Sequence, residues 1–259
     1  MSATITVSEE VRDILKRSTI TDTTLTLPGQ LSRPQYDAAM KVIGGAGGKW
    51  NRSAKCHVFT RDPREALGMA VETGKAVNIQ QTLQAFYTPA ALAARMANLL
   101  CLNRNMRVLE PSAGEGALVE AIAVYDAQID CYEIDDHAIK VLKEMAEQGM
   151  YVMRATKQDF LNVDPKQVGL YDAICMNPPF TRGAAIKHTL HALKFLKPSG
   201  RLVGILDAGV LFRTDKATTG FREKIESLGG TFQKLPAGSF SESSTEVATV
   251  LLQVTMPAC

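Results

Sequence analysis

The residues best suited to chemistry are Asn177-Pro178-Pro179-Phe180, which directly follow the apolar run 171–176. Proline has a fixed φ and no backbone N–H, so two prolines make a rigid segment whose nearby carbonyl groups remain available as acceptors. The Asn177 side-chain oxygen, the Pro178 carbonyl and the Phe180 ring would place two acceptors beside a stacking surface. Such a pocket suits a flat group with an exocyclic NH₂, such as a nucleobase. The alternative is a turn that ends a strand and buries one phenylalanine.

The segment 107–116 has the pattern of a strand that enters a nucleotide-type loop. It reads Arg107-Val108-Leu109-Glu110-Pro111-Ser112-Ala113-Gly114-Glu115-Gly116, and a helical pattern continues to Val124. Gly114 and Gly116 allow a tight turn and close approach of the backbone to a ligand. A dinucleotide site shares this pattern, but the Glu110 carboxylate would repel a pyrophosphate. Glu110 suits a cation, which favours S-adenosylmethionine (SAM), with its ammonium and sulfonium groups, over NAD.

Acidic residues also follow the next two predicted strands. Glu133 lies about 20 positions after the glycine loop, where a carboxylate can bind ribose hydroxyls. Ile134 would then cover an adenine face. Asp159 could accept from an adenine amino group, with Phe160 packing nearby; alternatively, Asp159 only caps its loop. We predict the two strands at 128–132 and 151–154.

The segment Tyr87-Thr88-Pro89 precedes a predicted helix over 90–102. Thr88 as N-cap and Pro89 at the first helical position are ordinary features of a helix start. A cofactor contact by Tyr87 or Thr88 would come in addition to this capping role.

These segments together resemble the DNA N6-adenine methyltransferases with the gamma-type motif order. The resemblance covers residues 80–256 in one consistent order, which is more specific than any single motif. It implies SAM as cofactor, and it implies that Asn177-Pro178-Pro179-Phe180 is the catalytic motif. It further implies these cofactor-binding residues: Tyr87, Thr88, Pro89, Glu110, Pro111, Ser112, Ala113, Gly114 and Gly116 at the methionine end, Glu133 and Ile134 at the ribose and adenine, and Asp159 and Phe160 at the adenine edge.

The resemblance also implies an α/β fold, the Rossmann-like fold of class I SAM-dependent methyltransferases. This fold has a seven-stranded, mostly parallel sheet with one antiparallel strand and helices on both faces. Phe240, between the last two strands, would pack on the extruded target base. We predict the remaining strands at 200–206, 231–235 and 246–255, and helices at 184–196 and 219–228.

The implied reaction is methylation of the N6 amino group of adenine in DNA, with the target base flipped out of the duplex. An adenine amine is a poor nucleophile because its lone pair is delocalised into the ring. Acceptors on Asn177 and Pro178 would bond both N–H protons and direct the lone pair toward the SAM methyl group. Catalysis of this direct displacement depends on positioning and electrostatics.

Similar pockets occur in enzymes that methylate RNA bases (adenine N6 or guanine N2), cytosine N4 or glutamine side chains. The cofactor loops of those enzymes more often begin with Asp, and phenylalanine at Phe180 disfavours the glutamine enzymes. An alternative of another class is a catalytically idle SAM-fold protein that only binds nucleic acid. The intact Asn-Pro-Pro-Phe motif argues against this alternative.

Residues 1–80 are predicted to form a separate small α+β module, and residues 81–259 the catalytic domain. A helical pattern over 33–42 and a glycine-rich turn lead to an alternating run, 55–60. Residues 31–64 have a net charge of +5, whereas the whole chain has +2. This segment is therefore expected to bind DNA phosphates; the alternative is a packing domain with Trp50 as its core. The candidate DNA-binding residues are Lys49, Arg52 and Lys55.

The composition fits a cytoplasmic enzyme, and the resemblance further suggests a bacterial, phage or mobile-element origin, as in restriction-modification. No apolar run reaches membrane length, and no apolar signal core begins the chain. The five cysteines are scattered, without a Cys-x-x-Cys pair or a Pro-Cys nucleophile, which is typical of reduced thiols. His188 and His191 have no evident third ligand, so no metal site is expected. The oligomeric state is not readable from the sequence.

The target sequence is expected to be short or relaxed. Gamma-type enzymes that read a defined site usually carry a recognition domain after the last strand, where only residues 256–259 follow here. The segment after Phe180 leads almost at once into the next predicted helix. Base-edge readout would therefore come from residues 1–80 or be largely missing, with at most one or two flanking preferences.

Overall fold

The computed structural model describes residues 4–77, 88–148, 153–180, 183–236, 239 and 248–258. The chain forms two compact units, Met1–Ala85 and Phe86–Cys259. Two of the predicted site residues, Tyr87 and Phe240, lie outside the described residues.

Within its described residues, 4–77, the first unit contains three helices and two small antiparallel sheets. One sheet pairs β1 with β6, and the other has the order β2-β3-β5-β4. The helices are α1 (Glu9–Arg17), α2 (Arg33–Gly45) and α3 (Arg64–Thr73). The strands are β1 (Thr4–Thr6), β2 (Thr19–Thr21), β3 (Thr24–Thr26), β4 (Lys49–Asn51), β5 (Cys56–Val58) and β6 (Lys75–Val77).

Local sequence explains where α2 begins and which side chains form the core of this unit. Ser32 and Gln35 form a capping box at the start of α2, in which each side chain bonds the other residue's backbone N–H. The core is built from apolar side chains of the helices and β3, including Ile14, Leu25 and Ile43. Trp50 is 50% exposed and is not part of this core, so the alternative that made it the core residue is wrong.

The second unit is built on a seven-stranded sheet. Its strands are β7 (Arg107–Glu110), β8 (Gln128–Glu133), β9 (Met153–Lys157), β10 (Tyr171–Met176), β11 (Leu196–Asp207), β12 (Thr231–Lys234) and β13 (Thr249–Thr255). Its helices are α4 (Ala90–Leu99), α5 (Ala117–Ala123), α6 (Asp136–Glu147), α7 (Pro165–Val168), α8 (Ala184–Ala192) and α9 (Lys216–Ser227).

The sheet has the order β12-β13-β11-β10-β7-β8-β9. The pairs from β11 to β9 are parallel, whereas β13 runs antiparallel to both of its neighbours. The predicted mostly parallel sheet with one antiparallel strand is therefore confirmed. Strand β10 illustrates the sequence signal, since a central parallel strand is covered on both faces and reads as a continuous apolar run; only Asp172 in it is not buried.

Some element boundaries differ from the predictions. The start of the third predicted strand, residues 151 and 152, lies outside the described residues, and this strand extends past its predicted end to Lys157. Strand β11 begins earlier than predicted, at Leu196. The helix predicted over 184–196 ends at Ala192, and a 3₁₀ turn over Leu193–Phe195 leads into β11. The helix predicted over 219–228 begins at Lys216, because Asp215 caps it by accepting from the Thr218 backbone N–H.

The carboxyl ends of β10, β7, β8 and β9 lie along one edge of the sheet, because these four strands are parallel neighbours. The register places Ile174 beside Leu109, so Cys175 is level with Glu110 and Asn177 lies two residues farther along. Ligands of open α/β sheets bind at this edge. Among the described residues, no helix is long and apolar enough to cross a membrane.

Candidate active site

The glycine loop after β7 is fastened to the end of β8 by Glu133. The Gly114 N–H donates to one Glu133 carboxylate oxygen at 2.7 Å. The other oxygen accepts from the backbone N–H groups of Ile134 at 2.7 Å and Asp135 at 2.9 Å. A carboxylate held by three backbone donors has little freedom to move, so Glu133 fixes the distance between the two loops.

Glycine is required at Gly116 for two separate reasons. Its φ is +96°, a left-handed conformation that side chains rarely adopt. A Cβ atom at this position would also lie 2.9 Å from the Met145 sulfur, so the Met145 side chain on α6 would have to shift. The glycine pattern seen in the sequence thus reflects both the turn and the helix packing beneath it.

Glu110 is a fully buried carboxyl group at the end of β7. Its Oε1 accepts from the Ser112 backbone N–H at 3.2 Å, and its Oε2 is buried with no hydrogen-bond partner among the described residues. Burial, with a smaller contribution from the nearby Glu133, raises the pKa of Glu110 well above 4.5. Such a group gains most from a cationic ligand, which would pair with the buried oxygen and favour the charged form.

The amide of Asn177 is oriented by Thr88. Its Nδ2 donates to the Thr88 hydroxyl oxygen at 3.0 Å, and Thr88 is buried. The predicted capping role of Thr88 is wrong, because Pro89 is the N-cap residue and makes no side-chain cap bond, with α4 beginning at Ala90. The Thr88 hydroxyl instead joins the segment before α4 to the Asn-Pro-Pro-Phe segment.

The two prolines and Phe180 lie close against the protein. Pro178 is buried, Pro179 is half-buried, and the Phe180 side chain is 9% exposed. Most of the Phe180 ring is therefore covered by the protein, as the simple strand-ending alternative also predicts. Stacking of a base would use the part of the ring that remains exposed.

The loop after β9 contains an exposed polar residue over a buried aromatic one. Asp159 is exposed, and its Oδ1 caps a 3₁₀ turn over Phe160–Asn162 by accepting from the Leu161 N–H at 2.9 Å. Asp159 thus caps its loop, and its contact with the cofactor remains a prediction. Phe160 is 1% exposed and packs on Phe195 at 5.0 Å between ring centroids. It supports the loop from the core and offers almost no surface to a ligand.

Ile134 differs from Phe160 in this respect. Its side chain is 58% exposed directly beside Glu133, so it offers an apolar surface to a ligand at this edge of the sheet. This placement suits the predicted cover for an adenine ring.

His188, for which the sequence suggested only a metal-binding role that lacked a third ligand, is a candidate site residue. It lies on α8 with its Nδ1 3.5 Å from the Ser112 hydroxyl, and its ring centroid is 6.3 Å from that of Phe160. Burial lowers the pKa of His188, and the charge of Asp159 partly opposes this shift. His188 thus meets both the glycine loop and the loop after β9. A sequence signal existed, since α8 directly follows the Asn-Pro-Pro-Phe segment.

His191 has a structural role, because its Nε2 lies 3.0 Å from the Val163 carbonyl oxygen and its ring packs on Phe160. Within the described part of the chain, no group of three or more His, Cys, Asp or Glu residues could hold a metal ion.

Comparisons with known proteins agree with this architecture. A family model described as methyltransferase small domain matches residues 90–213. No curated protein matches the sequence significantly.

Solved structures resemble the chain in fold. One is a modification subunit of a putative type I restriction enzyme from Vibrio vulnificus, with a TM-score of 0.55 and 20% identity over 67% of this chain and 45% of that chain. A putative class I SAM-dependent methyltransferase from Listeria monocytogenes has a TM-score of 0.55 and 15% identity over 70% of this chain and 65% of that one. The 23S rRNA methyltransferase ErmE has a TM-score of 0.53 and 20% identity over 67% and 70%.

The chain thus spans less than two thirds of the Vibrio and Listeria structures. The second unit has the class I SAM-dependent methyltransferase fold, as the sequence predicted. These comparisons also support the predicted cofactor, S-adenosylmethionine.

Proposed function

We propose that this protein transfers a methyl group from SAM to the N6 amino group of adenine in DNA, with a short or relaxed target sequence. The observation that carries the proposal is the oriented Asn177 amide, which Thr88 holds at the end of β10, beside the buried carboxyl group of Glu110 on β7. The similarity to a restriction modification subunit and to an rRNA methyltransferase supports a nucleic-acid substrate.

The residues at the sheet edge fit SAM. Glu110 provides a buried oxygen for a cationic group, and the loop from Pro111 to Gly116 provides a close backbone approach. Ile134 provides an exposed apolar surface beside Glu133 for the adenine ring. When bound, SAM supplies an electrophilic methyl group carried on a sulfonium.

The chain's own residues would prepare the amine. The Asn177 side-chain oxygen and the Pro178 carbonyl each accept one N–H of the adenine amino group, which turns the nitrogen lone pair away from the ring. The hydrogen bond from Nδ2 to Thr88 fixes the amide so that its oxygen is the group offered to the amine. No rotation of the side chain is then needed during the reaction, which is the advantage of a preorganised polar site.

The proposal is tested by methyl transfer from radiolabelled SAM to duplex DNA, single-stranded DNA, RNA and a protein mixture, followed by identification of the modified nucleoside. We expect N6-methyldeoxyadenosine. Label in RNA adenine or guanine would replace the DNA proposal with the RNA alternative. No transfer to any substrate, with SAM bound, would support the idle nucleic-acid-binding alternative.

The variant Asn177→Ala separates the pocket from the cofactor site. Transfer should fall by about 100-fold or more, since a preorganised polar contact to the reacting group is lost, while SAM affinity stays nearly unchanged. Asn105→Ala, in an exposed loop of the same unit, is the matched control. A rate within about tenfold of the parent (~1.4 kcal/mol) would remove Asn177 from the mechanism.

A further inference from the structure

The hairpin of β4 and β5, residues 49–58, is a basic surface at the edge of a sheet. We call it the basic hairpin. Strand β4 is the outer strand of the sheet β2-β3-β5-β4, and its three residues are exposed. Arg52 and Lys55 are exposed in the turn that joins the two strands. With Lys49, they give the hairpin three cationic side chains.

The turn of the basic hairpin is ordered by its own side chain. Asn51 Oδ1 accepts from the backbone N–H groups of Ser53 and Ala54, both at 3.0 Å. Lys55 then closes the turn with a φ of +50°. The basic groups therefore project from a backbone that needs little ordering on binding, which lowers the entropic cost of association.

Trp50 gives the same surface an aromatic face. Its ring is 50% exposed and lies 5.1 Å from the ring of His57, measured between centroids. His57 is fully buried, so it supports the tryptophan from the protein side and leaves part of the indole facing solvent. Exposed aromatic rings among basic residues are the feature on which proteins stack unpaired bases.

The basic hairpin has no acidic residue in its own sequence, residues 49–58. The two acids of residues 31–64 pair with arginines outside the hairpin: Asp37 with Arg33 at 3.0 Å and Asp62 with Arg64 at 2.7 Å. The hairpin thus has the charge and shape expected of a binding site for a polyanion that carries exposed flat groups.

We propose that the basic hairpin binds unpaired DNA, with Lys49, Arg52 and Lys55 on backbone phosphates and Trp50 stacked on a base. The faces of paired bases are covered by their neighbours, so the indole ring can stack only where the strand is unpaired. This binding does not require methyl transfer, although it would assist an enzyme that extrudes its target base.

The direct test uses intrinsic fluorescence, because Trp50 is the only tryptophan of the chain. The full chain is titrated with a single-stranded DNA of about 16 nucleotides, which is the largest site that one single-strand-binding OB fold covers. Binding should quench the tryptophan fluorescence until the signal saturates. The same strand in a duplex should bind more weakly. Unchanged fluorescence when DNA is bound, or equal affinity for the duplex, would overturn the stacking assignment.

Variants separate the two kinds of contact by the anisotropy of a labelled oligonucleotide. Trp50→Ala should weaken binding about 5- to 150-fold, the loss of one stacked base, and Trp50→Phe should recover part of it. Replacing Lys49, Arg52 and Lys55 by Gln together should reduce the salt slope by about two units, at about 0.7 per phosphate on single strands. Neutralising Lys16, Lys41 and Lys75, which are exposed elsewhere in the first unit, is the matched control.

Other outcomes exclude the proposal. An equal loss of slope in the control triple variant would show long-range attraction without a defined contact. Tighter binding of RNA of the same sequence, or a Trp50 response to vesicles of anionic lipid with none to DNA, would assign the hairpin to another partner. Asn177→Ala should retain the Trp50 response, so failure of methyl transfer and failure of hairpin binding are distinguishable.

Discussion

Replacing Glu110 by glutamine tests the cofactor site most directly. The substitution keeps the size of the side chain and an acceptor for the Ser112 N–H, but it removes the carboxyl group whose Oε2 is buried without a partner in the described structure. A hydrogen bond to a charged group contributes about 1.5–3 kcal/mol. SAM should therefore bind Glu110→Gln about 10- to 150-fold more weakly than the parent.

Proton release gives this prediction a second signature. Because burial raises the pKa of Glu110, the ligand-free folded chain keeps this carboxyl group protonated at pH values where an ordinary glutamate begins to ionise. A bound cation stabilises the carboxylate, so SAM binding should release a proton to the buffer. Calorimetric titrations at one pH just above 4.5, in two buffers that differ in ionisation enthalpy, should therefore differ for the parent and much less for Glu110→Gln.

The raised pKa of Glu110 also links stability to pH. A folded-state pKa above the unfolded value means that the folded chain binds more protons than the unfolded chain between the two values. The stability of the ligand-free protein should therefore fall as pH rises from about 4.5 through the folded pKa of Glu110. Thermal unfolding of Glu110→Gln should depend less on pH across this window.

The control is Glu120→Gln, which changes an exposed glutamate of the same unit. It should leave SAM affinity, proton release and the pH profile unchanged. SAM affinity of Glu110→Gln within about threefold of the parent, a difference of ~0.7 kcal/mol, would refute the pairing of Glu110 with the cofactor. Equal enthalpies for the parent in both buffers would refute the protonated state.

Three further predictions concern Thr88, His188 and the choice of target sequence. Thr88→Val should lower the single-turnover rate about tenfold by releasing the Asn177 amide, and Thr88→Ser should restore it; an unchanged rate in Thr88→Val would contradict the orienting role. Acidification below pH 6.5 should weaken SAM binding more in the parent than in His188→Asn, because protonated His188 adds a positive charge beside the glycine loop, whereas the effect of Glu110 is common to both; an equal loss in both proteins would contradict the role of His188. Sequencing of exhaustively methylated plasmid DNA should show many adenine contexts, because three residues separate Phe180 from α8, too few for reading several base pairs; one strict site would contradict this.

The sheet and its functional edge could be predicted because their signals are local. Strand β10 is a short apolar run, and a polar residue ends or directly follows β7, β8 and β10: Glu110, Glu133 and Asn177. Parallel neighbours bring such strand ends together whatever lies between them in sequence. The order of the motifs therefore carried most of the information about the site.

Contacts between distant segments could not be predicted in the same way. Local rules made Thr88 a helix cap, whereas its hydroxyl accepts from Asn177, 89 positions away. Phe160 stands beside Asp159 in sequence, yet the packing of Phe195 and His191 draws it into the core. The glycine loop lies far from α8 in sequence, so nothing local connected His188 with Ser112.

The two glutamates at the strand ends show how environment assigns different roles to one residue type. Glu133 accepts from three backbone N–H groups and holds the glycine loop in place. Glu110, on the neighbouring strand, has one backbone donor and one buried oxygen without a described partner. A carboxylate already satisfied by the backbone gains less from a ligand than one that is not. Glu133 therefore acts first on the shape of the site, while Glu110 is the carboxyl group best prepared to recognise a cation.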